Sequence, residues 1–160
     1  MSEPKMDGIF MAKAIEGAIE NIASGLGGPF AAVVVRDGAV ISAGCNRVTS
    51  TNDPTAHAEV MAIRAACTKL GTFQLDNCDL YTTCEPCPMC LGAIYWARIR
   101  SVYYACVASD AAGAGFSDVN IYDEIAKPIS QRRIRFTQLM RDESLECFRK
   151  WIATPNRINY

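Results

Sequence analysis

Phe30-Ala31-Ala32-Val33-Val34-Val35 is an unbroken apolar run of strand length, followed by Asp37-Gly38 and then by Ala39-Val40-Ile41-Ser42-Ala43-Gly44-Cys45. A strand with one wet face alternates apolar and polar residues, whereas a run without alternation is buried on both faces. Asp-Gly between two such segments is a hairpin signal. The stretch therefore predicts a central strand over 30–35, hairpinned to a returning strand over 39–45. Helices must then cover both faces of the sheet.

Upstream, Ile9–Ala23 reads as a helix with Ile15, Ala18, Ile19 and Ile22 on one stripe. Gly25, Gly27, Gly28 and Pro29 end it. Downstream, a polar loop runs from Asn46 to Asp53 and is closed by Pro54. A helix from about Ala56 to Leu70 follows, capped by Asp53 or Thr55. Cys78–Thr83 reads as a strand, Pro86 and Pro88 as the start of a helix reaching Ala97, and Ser101–Val107 as another strand. After a Gly-rich segment, Asp110–Gly115, come a short helix over Asp118–Ala126, a last strand over Arg133–Leu139 and a helix over Glu143–Ile152. Strands alternating with helices imply crossover connections and a partly parallel sheet.

The 160 residues suit one domain, and 50% hydrophobic against 21% charged residues is ordinary globular composition. A net charge of −1 gives no general affinity for nucleic acid or an anionic membrane. No apolar run reaches the length of a membrane span, and Met1–Asp7 lacks the apolar core of a signal peptide, so a cytoplasmic protein is expected. In that reducing setting, eight cysteines read as buried thiols, metal ligands or reactive thiols rather than as a disulfide framework.

Two segments carry chemistry: Thr55-Ala56-His57-Ala58-Glu59 and Cys84-Glu85-Pro86-Cys87-Pro88-Met89-Cys90. Cys87 and Cys90 share a face of a helix's first turn, where the backbone favours thiolates. Alone, the pair also fits a redox couple or half of a structural zinc site. His57, at another predicted helix start, adds a third ligand. Three ligands leave zinc one open position, the pattern of catalytic sites. There is no second histidine. Cys84 would be the fourth candidate, and its spacing from Cys87 and Cys90 also resembles part of an iron–sulfur run.

His-x-Glu followed, 27 positions after the Glu, by Pro-Cys-x-x-Cys is the signature of zinc-dependent deaminases. Zinc lowers the pKa of its bound water toward about 7, making hydroxide available as nucleophile. Glu59 binds no metal on this reading and shuttles the proton from water to a ring nitrogen. Its bland alternative is a carboxylate favoured by a helix start. Neutral His57, two thiolates and one zinc ion per chain sum to zero charge, which suits a neutral heterocycle.

With these motifs the chain resembles the cytidine deaminase-like superfamily and, within it, the bacterial guanine deaminases. The resemblance rests on Gly27–Val33, Asn46, Asn52–Glu59, Cys84–Ala97, Ala114–Asp118 and Tyr160. It implies an α/β fold, a three-layer α/β/α sandwich around a five-stranded mixed sheet, formed by a single zinc-dependent deaminase domain over 1–160. It also implies a homodimer with the C-terminal segment, about 140–160, exchanged between subunits. Phe30 would pack on the purine and Asn46 would hydrogen-bond the base edge. Asp118 would carry a proton to the departing amine, Trp96 and Phe116 would line the pocket, and Tyr160 would close it. From the residues alone, Phe30 and Trp96 also read as core, Asn46 as a turn residue and Asp118 as a helix cap.

The expected activity is zinc-dependent deamination of guanine to xanthine and ammonia. The alternatives are a related nucleoside or heterocycle (guanosine, cytosine, a triazine) and adenosine in tRNA. The last would need lysine and arginine along a groove, and Gln131-Arg132-Arg133-Ile134-Arg135 is the one small basic cluster. A zinc-stabilised binding domain without activity is opposed by Glu59 and by the missing fourth ligand.

Overall fold

The structure, a computed structural model, describes residues 7–159. In chain order the elements are α1 (Asp7–Ser24), β1 (Ala31–Arg36), β2 (Ala39–Cys45), α2 (Val48–Thr51), α3 (Ala58–Leu70), β3 (Cys78–Cys84), α4 (Pro88–Ala97), β4 (Ser101–Cys106), α5 (Ala108–Gly113), α6 (Val119–Ala126), a 3-10 turn (Ile129–Gln131) and α7 (Arg141–Ala153). They form two compact units, one ending at Asp118 and one beginning at Val119.

In the first unit the strands form a mixed sheet in the order β2-β1-β3-β4. β1 is antiparallel to both neighbours, and β4 runs parallel to β3. Asp37 and Gly38, both at positive φ, make the tight turn between the paired ends Arg36 and Ala39. The unbroken apolar run in β1 has the cause its sequence implies. Ala32 and Val34 join a core with Ala58, Ala62, Ile63 and Ala66 of α3 and Ile94 and Ala97 of α4. Val33 and Val35 join a second core with Phe10 and Ala14 of α1. Successive strand residues face opposite ways, so both faces are covered.

α3 lies directly on the backbone of β2. A Cβ on Gly44 would stand 2.4 Å from Ala62 N and 2.5 Å from Ala58 O. The hydroxyl of Ser42 donates to Ala62 O at 2.7 Å, pinning the same pair of elements.

Several expectations are corrected. The sheet has four strands among the described residues, not five. Arg133–Leu139 alternates in the manner of a strand but forms no ladder there. A strand exists only through a neighbour's hydrogen bonds, and the Arg133 N–H is already donated to Glu124 Oε2 at 2.7 Å. α2 forms inside the expected polar loop, and α5 starts at Ala108 and runs into the Gly-rich segment. The face α1 turns inward is Phe10, Ala14, Ala18 and Asn21, while Ile15, Ile19 and Ile22 are exposed. Close approach selects the small stripe: a Cβ on Gly17 would lie 3.5 Å from the Ala31 Cβ.

α3 starts two residues later than expected. Asp53 Oδ1 accepts from both the N–H and the hydroxyl of Thr55, so these residues close a turn rather than cap a helix. His57 becomes the residue before the first helical turn.

Candidate active site

Two helix starts meet at one point. His57 is the N-cap of α3 and Cys87 the N-cap of α4; both are extended, and neither side chain caps its own helix. Pro88, at the first helical position, needs no N–H partner there and holds φ at a helical value. The imidazole and the thiol are thus free to project beyond the helix ends. Cys90 joins them from the first turn of α4.

His57 Nδ1 lies 3.5 Å from the Sγ of both Cys87 and Cys90. The three ligand atoms lie within 4.8 Å of one another. A tetrahedral zinc ion, with bonds of about 2.0–2.1 Å to nitrogen and 2.3 Å to sulfur, separates such N and S atoms by about 3.5 Å. The donor set and its spacing therefore fit zinc, and three ligands leave a position open. Cys84 points elsewhere: its thiol donates to Val107 O at 3.7 Å.

Glu59 is buried beside this cluster, at 6% exposure. Its Oε2 accepts from Cys90 Sγ at 3.4 Å. Burial pushes its carboxyl above the usual range. A carboxyl so shifted is suited to holding and passing a proton. The neighbouring Cys90 thiol, with help from His57, brings the Cys87 thiol down to about 4. Sharing a proton with Cys87 pushes Cys90 the other way. The Cys87 hydrogen bond raises His57.

Beside the start of α3, where Arg47 N donates to Ala56 O at 2.9 Å, the end of β2 is tied to the loop before β1. Asn46 is buried, and its Oδ1 accepts from the backbone N–H of Gly28 and of Val48, each at 3.3 Å. Phe30 meets Phe116 edge to face, with ring centroids 5.0 Å apart. The Phe116 ring also closes on Gly28, where an added Cβ would lie 3.5 Å from it. The structure thus groups His57, Glu59, Cys87 and Cys90, and separately groups Phe30, Asn46 and Phe116 through Gly28. Trp96 is exposed on α4. Asp118, half-buried, is the last residue of its unit. Tyr160 lies outside the described residues.

Three residues that bond into this region escaped the sequence reading. Asn21 Nδ2 donates to Gly28 O at 2.9 Å and to Asn46 O at 3.0 Å. Arg47 Nη1 donates to Asn21 Oδ1. Thr83 Oγ1 accepts from Ala31 N at 3.2 Å. Asn21 continues the stripe Phe10, Ala14, Ala18, and a polar residue in an apolar stripe was the available signal.

Comparison with known proteins agrees with this geometry. Residues 4–106 match the family described as the cytidine and deoxycytidylate deaminase zinc-binding region. The chain is 56% identical to a guanine deaminase of Bacillus subtilis over 151 residues, covering 94% of this chain and 97% of that one. The X-ray structure of guanine deaminase from Bacillus subtilis superposes with a TM-score of 0.93 at 55% identity, covering 96% of this chain and 98% of that one. A tRNA-specific adenosine deaminase of Aquifex aeolicus is 35% identical, covering 74% of this chain and 76% of that one. With His57, Cys87 and Cys90 gathered around one point and Glu59 buried at its side, the chain belongs to the zinc-binding cytidine and deoxycytidylate deaminase family.

Proposed function

We propose that this protein hydrolyses guanine to xanthine and ammonia. The observation that carries the reading is the three-ligand cluster with a buried carboxyl against it. The identity to a guanine deaminase over nearly the full chain supports the choice of base.

His57, Cys87 and Cys90 hold one zinc ion per chain. Bound there, zinc supplies the Lewis acidity that makes water nucleophilic near neutral pH. Glu59 takes the proton from the attacking water and delivers it to the ring nitrogen beside the amino-bearing carbon. One water is consumed: its oxygen becomes the new carbonyl, and the amine leaves as ammonia. Asp118 passes the second proton to that amine.

Phe30 packs on the purine face, backed by the edge contact with Phe116. Asn46 spends its oxygen on two backbone N–H groups, so its amide N–H groups are what it offers the base. The unit from Val119 onward exposes Ile125, Ile134, Phe136, Phe148 and Ile152, apolar surface in keeping with exchange of the C-terminal segment between two subunits. The two units then act as one functional domain. Eight free thiols support a cytoplasmic setting.

The test is xanthine formation from guanine by the zinc-loaded protein, beside guanosine, cytosine, cytidine and adenosine. Turnover of guanine alone is expected. Turnover of another base only would move the substrate assignment, and RNA binding that weakens steeply with salt would favour the tRNA reading.

A further inference from the structure

The geometry points to Asn21 as a positioning residue that sets base recognition through Asn46, an inference that rests on the guanine reading above. Asn21 sits near the end of α1, at 3% exposure, on a stripe that is otherwise apolar. A buried amide is costly unless every polar atom is matched. Here each end is used. Nδ2 donates to two carbonyls, Gly28 O at 2.9 Å and Asn46 O at 3.0 Å, and Oδ1 accepts from Arg47.

The two carbonyls belong to residues that also bond each other, since Gly28 N donates to Asn46 Oδ1. Asn46 N in turn donates to Phe30 O at 3.0 Å. Asn21 therefore closes a ring that joins the loop before β1 to the end of β2, with the base-facing amide of Asn46 inside it. The ring is tight. A Cβ on Gly27 would lie 2.0 Å from Asn46 O and 3.1 Å from Asn21 Nδ2. Only an amide of this length supplies two donors on one side and an acceptor on the other. Leucine matches the shape with neither, and aspartate would set oxygen against two carbonyl oxygens.

Asn21 touches the Asn46 carbonyl rather than its side chain: it holds Gly28, whose N–H, with that of Val48, fixes the rotation of the Asn46 amide and hence which atoms Asn46 turns to the base. A residue that acts only through another contributes nothing once that other is removed. The test is a pair of cycles on the zinc-loaded full-length protein: Asn21→Leu and Arg47→Ala, each alone and each with Asn46→Ala. Asn21→Leu is expected to lower kcat/KM for guanine about tenfold, the worth of one hydrogen bond, mainly through KM. Arg47→Ala, a change at a partly exposed residue that leaves Asn21 itself in place, is expected to act in the same direction and less. In the Asn46→Ala background both effects shrink to about twofold or less. Multiplying losses, or a loss of zinc with KM unchanged, would overturn the inference.

Amide exchange of Gly28 and Val48, the two donors to Asn46 Oδ1, gives a readout independent of turnover. It is expected to quicken in Asn21→Leu and, less, in Arg47→Ala, while β1 stays protected. Unchanged exchange refutes the positioning role even if guanine is the substrate. Quickened exchange in a protein inert toward guanine upholds the role and refutes the substrate.

Discussion

Cys90 Sγ donates to Glu59 Oε2 across 3.4 Å and so joins the first turn of α4 to the first turn of α3. The contact places a buried carboxyl against one of the three candidate ligand atoms, from outside that set. Both groups sit where helix N-termini favour negative charge.

Glu59→Gln separates binding from chemistry. The amide keeps the shape and removes the proton carrier, so zinc content is expected to hold while kcat falls about 10²–10⁴-fold. Because burial disfavours the charged carboxylate, thermal stability should not drop. Metal analysis, calorimetry and turnover on one preparation check all three.

Cys90→Ala removes a ligand at the buried side of the cluster. Two ligands do not hold zinc against a chelator, so the variant is expected to purify with little metal and no turnover. In the wild-type protein, chelator should abolish activity, and one equivalent of zinc should restore it. Zinc should also protect Cys87 and Cys90 from alkylation, read by peptide mass spectrometry.

Gly44→Ala tests whether the site depends on how α3 lies on the sheet. The new methyl would stand within 2.5 Å of the α3 backbone at Ala58 O and Ala62 N. Backbone in a helix cannot rotate away as a side chain can, so α3 must lift. A loss of about 1–3 kcal/mol is expected, with weaker zinc retention because His57 starts that helix. Denaturant unfolding and a metal-competition assay measure the two effects.

Buried thiols should make the fold sensitive to alkali. Burial pushes Cys84 up to about 11, and it raises Cys45, Cys67 and Cys78 as well. In the unfolded chain these thiols lose their protons near pH 9, earlier than in the folded protein. The stability they contribute is whole below that pH and is lost as pH rises through the folded values. Unfolding midpoints should fall between about pH 9 and 11. At pH 8, iodoacetamide should label the exposed Cys106 and Cys147 before Cys84.

The sheet's centre was legible because burial on both faces writes itself directly into β1 as a run without alternation. The cluster was legible because both halves of it are short in sequence: Cys87 and Cys90 lie on one helix turn, and His57 and Glu59 on another. The expected strand over Arg133–Leu139 failed for the opposite reason. Alternation describes what a segment can do with a neighbour, and nothing local to it reports that Glu124 takes its first N–H. The α1 stripe was misread because isoleucines dominate one face, while the sheet accepts the face of alanine, glycine and asparagine that lets backbones approach.

By itself, the sequence determined the kinds of group present and their short-range spacing: two helix starts bearing imidazole, carboxyl and two thiols, and a hairpin with a doubly buried strand. These follow from steric and periodic rules that act over a few residues. Tertiary structure alone decided that the two starts meet within 3.5 Å, that Cys84 turns to a carbonyl instead of the cluster, and that Asn21 reaches across 25 positions to grip Asn46. Those outcomes depend on how closely α1 and α3 approach the sheet. Approach is set by side-chain volumes on facing elements, a quantity that no single segment contains.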